Sequence, residues 1–145
     1  MIGEHGDSEL AVCSSANISS LDLDHFCQLR NREHYREDLD RIYSEVRDSA
    51  YAIIERKGAT YYGIAMAVAR IAECIMKDES AMLPISVVLE GQYGLKDLCL
   101  SIPTIVGRDG AETVLEIPLA PKERAALLAS AQQLSEVIQH LKLER

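Results

Sequence analysis

The sequence predicts an α+β fold in which long helices pack on a small antiparallel sheet. Two helical patterns come first, three consecutive strand patterns follow, and a third helical pattern ends the chain. Elements grouped by type in this way are typical of α+β domains, whereas strict alternation of strands and helices predicts a parallel sheet. The 145 residues, 48% of them hydrophobic, suffice for one core, and we expect a single domain over residues 1–145.

The first part of the chain carries no sustained hydrophobic period. Serine, aspartate and asparagine are frequent between Gly6 and Arg32. These residues favour turns and loops because their short polar side chains bond to the neighbouring backbone. We therefore expect a loop there, with one short helical turn around Leu21–Leu29.

The first long helix is predicted from Tyr35 onward. Apolar side chains recur there at alternating steps of four and three residues, while charged side chains occupy the other faces. Gly58 follows the basic pair Arg56-Lys57 and is expected to end the helix. We interpret the charged residues as a solvated face and not as a binding patch.

The second helix is predicted from Tyr61 to about Lys77, with Thr60 as its N-cap. The Thr60 hydroxyl can accept a hydrogen bond from a backbone N–H of the first turn, and it can also face a ligand. Alanines, Gly63 and branched aliphatic residues surround this helix on almost every side. A helix of that composition is usually buried, so we expect it to be packed closely between neighbours in the interior.

Three strands are predicted between the second and the last helix. They span Leu83–Glu90, a stretch within Leu98–Val106, and Thr113–Ile117, and the pair Asp109-Gly110 predicts a tight turn before the third strand. Pro103 cannot donate a hydrogen bond to a neighbouring strand. We therefore expect the second strand to be interrupted or to lie at an edge of the sheet.

The last helix is expected to begin at Pro121, since proline is well tolerated in the first helical turn. Its apolar stripe consists of Leu127, Ala131, Leu134, Ile138 and Leu141. No Gly-x-Gly-x-x-Gly loop follows a strand and opens a helix, so a Rossmann domain is expected to be absent from this chain.

Composition and charge exclude several classes of partner. The formal net charge of −8 argues against nucleic acid and against anionic membranes, and we expect a small molecule or another protein instead. No apolar run approaches the roughly 20 residues of a membrane span, and no signal-peptide pattern is present, so a cytoplasmic location is expected. The four cysteines, which lack disulfide or zinc-site spacing, are interpreted as buried free thiols: Cys13, Cys27, Cys74 and Cys99.

One histidine near the start of the chain is the candidate for chemistry. His5 lies in the segment Gly3-Glu4-His5-Gly6-Asp7-Ser8-Glu9, between two glycines and among carboxylates. Histidine exchanges protons near neutrality, and flanking glycines allow a substrate to come close. A lone histidine is more often a solvated surface residue, and a metal site on His5 and Asp7 is a weaker alternative.

Four segments in the same order resemble the C-terminal, catalytic half of the bacterial L-lactate dehydrogenases. The segments are Gly3-Glu4-His5-Gly6-Asp7-Ser8-Glu9, Ala16-Asn17-Ile18, Lys57-Gly58-Ala59-Thr60-Tyr61-Tyr62-Gly63-Ile64-Ala65 and Leu89-Glu90-Gly91-Gln92-Tyr93-Gly94. The resemblance extends over essentially the whole chain. Malate dehydrogenases share the fold, but the form of the first segment is more similar to the lactate branch.

The resemblance implies roles for individual residues. His5 corresponds to the catalytic histidine, which protonates the ketone oxygen of pyruvate while NADH delivers hydride. Thr60 falls at a threonine of the substrate pocket, Ala50 lies near the pocket wall, and Ile64 lies where an aliphatic side chain packs near the nicotinamide. Asp7 and Glu9 are interpreted as loop-shaping and solvated. No metal is implied.

The resemblance also implies that essential partners belong to an N-terminal half. In the family that half supplies the NAD-binding fold, the aspartate that orients the histidine, the arginines that bind the substrate and the mobile loop. We therefore expect the isolated chain to bind no NAD, to lack dehydrogenase activity and to form a homo-oligomer, domain-swapped or not, that buries Ile64-side or cleft-facing residues. The alternative is a non-enzymatic oligomerisation module that retains the fold.

Overall fold

The computed structural model describes residues 1–141, which form four α-helices and five β-strands. In chain order these are β1 (Asn17–Ile18), β2 (Leu21–Asp22), α1 (Leu23–Leu29), α2 (Tyr35–Lys57), α3 (Tyr61–Lys77), β3 (Ala81–Glu90), β4 (Lys96–Gly107), β5 (Gly110–Val114) and α4 (Pro121–His140). The content confirms the α+β fold class. The chain divides into two compact units, residues 1–12 with the described residues from Ile71 onward, and Cys13–Arg70. Each unit is described by itself.

The first unit contains an antiparallel sheet with the order β3-β4-β5. β3 and β4 pair from Ala81↔Val106 to Glu90↔Lys96, with a register shift between Val88 and Glu90. β4 and β5 are joined by a tight turn that begins at Gly107↔Gly110. This turn confirms the one expected at the Asp-Gly pair.

Pro103 does not have the expected effect on β4. The strand runs without interruption from Lys96 to Gly107 and lies in the centre of the sheet, so the prediction of a broken or edge strand was wrong. Pro103 accepts the Leu115 N–H at 2.8 Å but cannot return a hydrogen bond to the Leu115 carbonyl. The backbone N–H that Pro103 lacks would therefore have pointed towards β5 and not towards β3. β5 ends at Val114, whereas the sequence analysis extended that strand to Ile117.

The core of the first unit lies between the sheet and α4. It consists of Ile2, Leu10, Leu89, Tyr93, Leu100, Ile102, Leu127 and Ala131. α4 begins at Pro121 as predicted, and the Glu123 carboxylate accepts the Ala120 N–H at 2.8 Å at the start of this helix. The first residues of the chain join this core through backbone pairing with β4.

Tyr93 fastens the connection after β3 to the segment before α4. Its hydroxyl accepts the Ile117 N–H at 2.7 Å and donates to the Ile117 carbonyl at 3.2 Å. The Tyr93 N–H donates to the Glu116 carboxylate at 3.0 Å. Burial raises the pKa of the Tyr93 hydroxyl above its ordinary value. The side chain thus holds two connecting segments together from inside the unit.

The second unit begins with a hairpin that the sequence analysis treated as loop. β1 and β2 pair antiparallel around Ser19 and Ser20, which both have positive φ angles of 50° and 70°. Asp22 caps α1 by accepting the His25 N–H at 2.7 Å. The expected helical turn around Leu21–Leu29 is therefore present as α1, preceded by this hairpin.

The two long helices have the predicted bounds. α2 ends at Lys57, and Gly58 follows it with a φ of +81° and donates its N–H to the Ile54 carbonyl at 2.7 Å. α3 begins at Tyr61, directly after Thr60. The charged residues of α2 lie on a solvated face as expected, because its ion pairs, such as Arg41–Asp38 and Arg41–Glu45, are exposed.

The expectation that α3 is buried was wrong. Cys74 is its buried residue, and the Cys74 thiol donates to the Val106 carbonyl at 3.0 Å. Ile64 is 58% exposed and Met66 is 72% exposed, and Val68 is exposed as well. The composition of α3 indicates a covered helix, but the described part of this chain does not supply the cover.

The structure bears on the predictions for the cysteines, for a metal site and for a membrane-spanning helix. Cys27 and Cys74 are buried free thiols as expected. The expectation was wrong for the other two: Cys13 is only partly buried, and Cys99 is exposed because it lies on the outward face of β4. Within residues 1–141, no group of three His, Cys, Asp or Glu side chains is arranged to hold a metal ion. Across the same described residues, no helix is long and apolar enough to cross a membrane.

Candidate functional site

The loop that carries His5 is closed at its base by backbone hydrogen bonds. Ile2 and Leu10 exchange two of them, both at 2.9 Å. Gly3 and Ser101 of β4 exchange two more, at 2.9 and 2.8 Å. The loop, residues 4–9, is therefore closed by paired backbone beside β4, with Ile2 and Leu10 buried in the core.

Gly3 permits this close approach. Its φ is +102°, a conformation that favours glycine. A Cβ atom at this position would lie 3.0 Å from the Ser130 Oγ and 3.2 Å from the Leu10 Cδ2. Both the backbone angle and the available space explain why glycine precedes the loop.

Ser130 of α4 lies beneath the loop, and only 1% of its surface is exposed. The Glu4 N–H donates to the Ser130 Oγ at 2.8 Å. The Ser8 hydroxyl lies 3.0 Å from the Ser130 Oγ and also donates to the Glu4 carboxylate. The loop is therefore fastened to the core helix on both sides of its tip.

His5 lies at that tip with its side chain exposed. It lines an open pocket of about 290 Å³ whose walls are Met1, Ile2, Glu4, His5, Glu9, Pro84 and Ser101. Among the lining side chains there are two carboxylates and no lysine or arginine. The pocket can thus present an imidazole to a substrate, but its lining provides no lysine or arginine to bind the carboxylate of an acid.

The other predicted site residues lie in the second unit. Ala50 is on α2, and Thr60 and Ile64 lie four residues apart where α3 begins. All three are exposed. Their roles in substrate or cofactor binding stay predictions.

The sequence analysis missed Ser130 and Ser101. Ser130 is three residues after Leu127 and four before Leu134, so it lies on the apolar stripe of α4. A polar residue on such a stripe was the available signal, because a buried hydroxyl needs a hydrogen-bond partner. Its partner could not be read from the sequence, since Glu4 lies 126 residues away.

Comparison with known proteins identifies the family. Residues 1–144 match the family model described as the lactate/malate dehydrogenase, alpha/beta C-terminal domain. The chain is 46% identical over 141 residues to the L-lactate dehydrogenase of Thermoanaerobacter sp. strain X514. That match includes 97% of this chain and 45% of the relative, so the chain spans less than half the length of the curated relative it matches.

Solved structures agree with the sequence match. The minor L-lactate dehydrogenase from Enterococcus mundtii superimposes with a TM-score of 0.89 at 36% identity, over 99% of this chain and 45% of that one. MGS-M5, a lactate dehydrogenase from a Medee basin deep-sea metagenome library, gives a TM-score of 0.91 at 38% identity, over 98% and 45% of the two chains. The chain therefore belongs to the lactate/malate dehydrogenase family and corresponds to its α/β C-terminal domain.

Proposed function

We propose that this chain is the catalytic half of an NAD-dependent L-lactate dehydrogenase, with His5 as its general acid and base. The observation that carries the proposal is the position of His5, exposed on a pocket at the tip of a loop that is fastened to β4 and α4. The loop belongs to a chain that is 46% identical to an L-lactate dehydrogenase. A cytoplasmic location and the role of this enzyme in fermentation follow from the same proposal.

His5 exchanges the proton of the reaction. In pyruvate reduction its protonated imidazole donates to the ketone oxygen, so that the developing alkoxide becomes the hydroxyl of lactate. In lactate oxidation the neutral imidazole removes the same proton. An exposed imidazole at the tip of a fastened loop suits both directions, because it reaches a substrate without moving the backbone.

The residues of the second unit contact substrate and cofactor in this proposal. The Thr60 hydroxyl bonds to pyruvate, and Ala50 limits the pocket with a small side chain. Ile64 offers the nicotinamide ring an aliphatic surface, and its exposed side chain fits that task. When NADH is bound, it supplies the hydride that adds to the carbonyl carbon. Ala50, Thr60 and Ile64 are uncharged, so they can contact the nicotinamide end of NADH but cannot bind its phosphate groups with a positive charge.

The isolated chain is expected to have no dehydrogenase activity. The pocket at His5 has Glu4 and Glu9 in its lining and no lysine or arginine, so it offers the carboxylate of pyruvate no bidentate cation to bind. In the family, the arginines that bind the substrate come from an N-terminal half, together with the NAD-binding fold. Without these arginines the isolated chain should bind pyruvate weakly, and without the NAD-binding fold it should not hold NADH, so both effects lower its expected activity.

A chimera tests the proposal. This chain replaces the matching C-terminal 45% of the Thermoanaerobacter L-lactate dehydrogenase, and pyruvate reduction is followed by loss of NADH absorbance. We expect turnover from the chimera, none from this chain alone, and a fall of about 10²–10⁴-fold on His5→Ala. Mixing the chain with a separate N-terminal half is the weaker form of the same test.

His34→Ala is the matched control, because His34 is an exposed histidine at the start of α2 whose partner is Glu37. It should leave turnover within about twofold. Equal losses from the two histidine variants would contradict the proposal.

A second candidate function is a non-enzymatic oligomerisation module. The exposed apolar side chains of α3, Ile64, Met66 and Val68 among them, favour association with another protein surface. The two functions differ in the chimera assay. A stable homo-oligomer combined with an inactive chimera would support the module and contradict the enzyme.

A further inference from the structure

We infer that Ser130 is a positioning residue for His5, which it holds through the backbone and side chain of Glu4. The inference rests on the proposed role of His5 as the acid and base. Ser130 does not itself reach the pocket that His5 lines. Its effect is to fix where the tip of the loop lies.

The burial of Ser130 is unusual for a hydroxyl on a helix. Serine in a helix commonly points to solvent or bonds back to the carbonyl of the preceding turn. Ser130 instead lies beside Leu127 and Ala131 in the core, and its hydroxyl bonds to Glu4 and Ser8 of the loop. A buried hydroxyl without partners is costly, so the helix and the loop depend on each other for this contact.

The direction of the hydrogen bonds follows from counting protons. The Ser8 hydroxyl has one proton, which it donates to the Glu4 carboxylate. In the 3.0 Å contact between the two serines, Ser130 is therefore the donor. The Glu4 N–H donates to Ser130, Ser130 donates to Ser8, and Ser8 donates to the Glu4 side chain, which closes a ring.

This ring fixes both sides of the loop tip. Glu4 precedes His5 directly, and Ser8 follows the tip residues Gly6 and Asp7. With Glu4 and Ser8 both tied to one buried hydroxyl, the backbone of His5 is confined between two fixed points. A misplacement of about 1 Å at a catalytic group can cost as much as 10²-fold in rate, so the ring bears on turnover even though it touches no substrate.

Three variants test the inference. Ser130→Ala removes the hydroxyl, Ser130→Thr keeps it, and Ser8→Ala opens the ring from the loop without altering the core. In the isotope-labelled chain we expect Ser130→Ala to speed amide hydrogen exchange at Glu4 by about tenfold, while exchange at Ile2 and Leu10 is unchanged. Those two amides bond to backbone carbonyls and report the base of the loop.

The kinetic readout uses the chimera described above. Ser130→Ala and Ser8→Ala should each lower kcat by about tenfold and leave the KM for pyruvate within about twofold, and Ser130→Thr should restore most of the rate. Unchanged exchange at Glu4, or equal acceleration at Glu4 and Leu10, would overturn the inference. The second pattern would mean that the variant loosens the whole unit.

The outcomes separate this inference from the proposed function. If His5→Ala leaves the chimera fully active, the proposed function fails and Ser130 cannot be a positioning residue, whatever the exchange at Glu4. If His5→Ala abolishes activity while both serine variants keep wild-type kcat, the proposed function stands and the positioning role is overturned.

Discussion

The two units of this chain bury their apolar residues to very different extents. In the first unit, Leu89, Leu100, Ile102 and Leu127 are completely buried between the sheet and α4. In the second unit, α2 contains no buried residue, and the apolar side chains at the start of α3 are exposed. The periodicity of a sequence predicts a helix, but it does not reveal which surface covers the apolar face. In the first unit the sheet and α4 cover each other's apolar faces, whereas α2 and the start of α3 leave their apolar side chains exposed.

The largest expected difference between the two units is in the free energy of unfolding that is lost when an apolar side chain is truncated. Leu127→Ala removes a fully buried side chain from α4 and should lower the free energy of unfolding by about 2–5 kcal/mol. Met66→Ala on exposed α3 should change it by less than about 0.5 kcal/mol. Urea titration followed by circular dichroism measures both. The titration is run at a protein concentration low enough to keep the chain monomeric, and similar losses from the two variants would then mean that α3 is covered within a single chain.

The tyrosine that fastens the first unit gives the next largest effect. Tyr93→Phe removes a hydroxyl that bonds to both the N–H and the carbonyl of Ile117, and it should cost about 1–2 kcal/mol in the same titration. Tyr62→Phe is the control, because Tyr62 is exposed on α3. A control as damaging as Tyr93→Phe would remove the distinction between a buried and an exposed hydroxyl.

The exposed face of α3 should act in association and not in folding. We expect the chain to form a homo-oligomer, and Val68→Glu should raise its dissociation constant by about tenfold, because Val68 lies one turn from Ile64 on the same side of α3 and the change puts a charge on an apolar contact. Met82→Glu, at an exposed position on β3, should change the constant by less than about threefold. Sedimentation velocity measures both constants. A clean monomer at high concentration of the unchanged chain would contradict the expected oligomer.

The smallest effect is a pH dependence. Burial raises the pKa of Tyr93 in the folded state, so the folded protein retains a proton that the unfolded chain has already lost. Stability from this group is complete below the ordinary tyrosine pKa of about 10 and declines as pH rises above it. Urea titrations between about pH 8 and 11 should show that decline, and Tyr93→Phe should flatten it. An equal slope in the variant would assign the decline to other groups.

The sequence was sufficient for the helices and insufficient for several details of the strands. The bounds of α2 follow from its periodicity and from Gly58, and those of α3 follow from Thr60 and from its run of small and aliphatic residues. The hairpin around Ser19 and Ser20 was missed because two serines with positive φ do not form the usual glycine-containing turn signal. β5 ends earlier than predicted, at Val114, because Pro103 opposite Leu115 has no N–H to continue the pairing.

The candidate site was predicted only in its local part. His5 could be selected as a candidate because its flanking glycines and carboxylates are adjacent in sequence. Ser130 could not be connected to it, since the contact joins residues 126 positions apart and depends on how α4 packs under the loop. Sequence patterns indicate a candidate side chain for chemistry, whereas the contacts that hold its loop depend on tertiary packing.

The proposed proton transfer by His5 in pyruvate reduction can be measured as the ratio of kcat/KM between His5→Ala and His34→Ala, both in the chimera with the Thermoanaerobacter enzyme. If His5 transfers the proton, its variant is slower by about 10²–10⁴-fold. A ratio near one would mean that His5 does not.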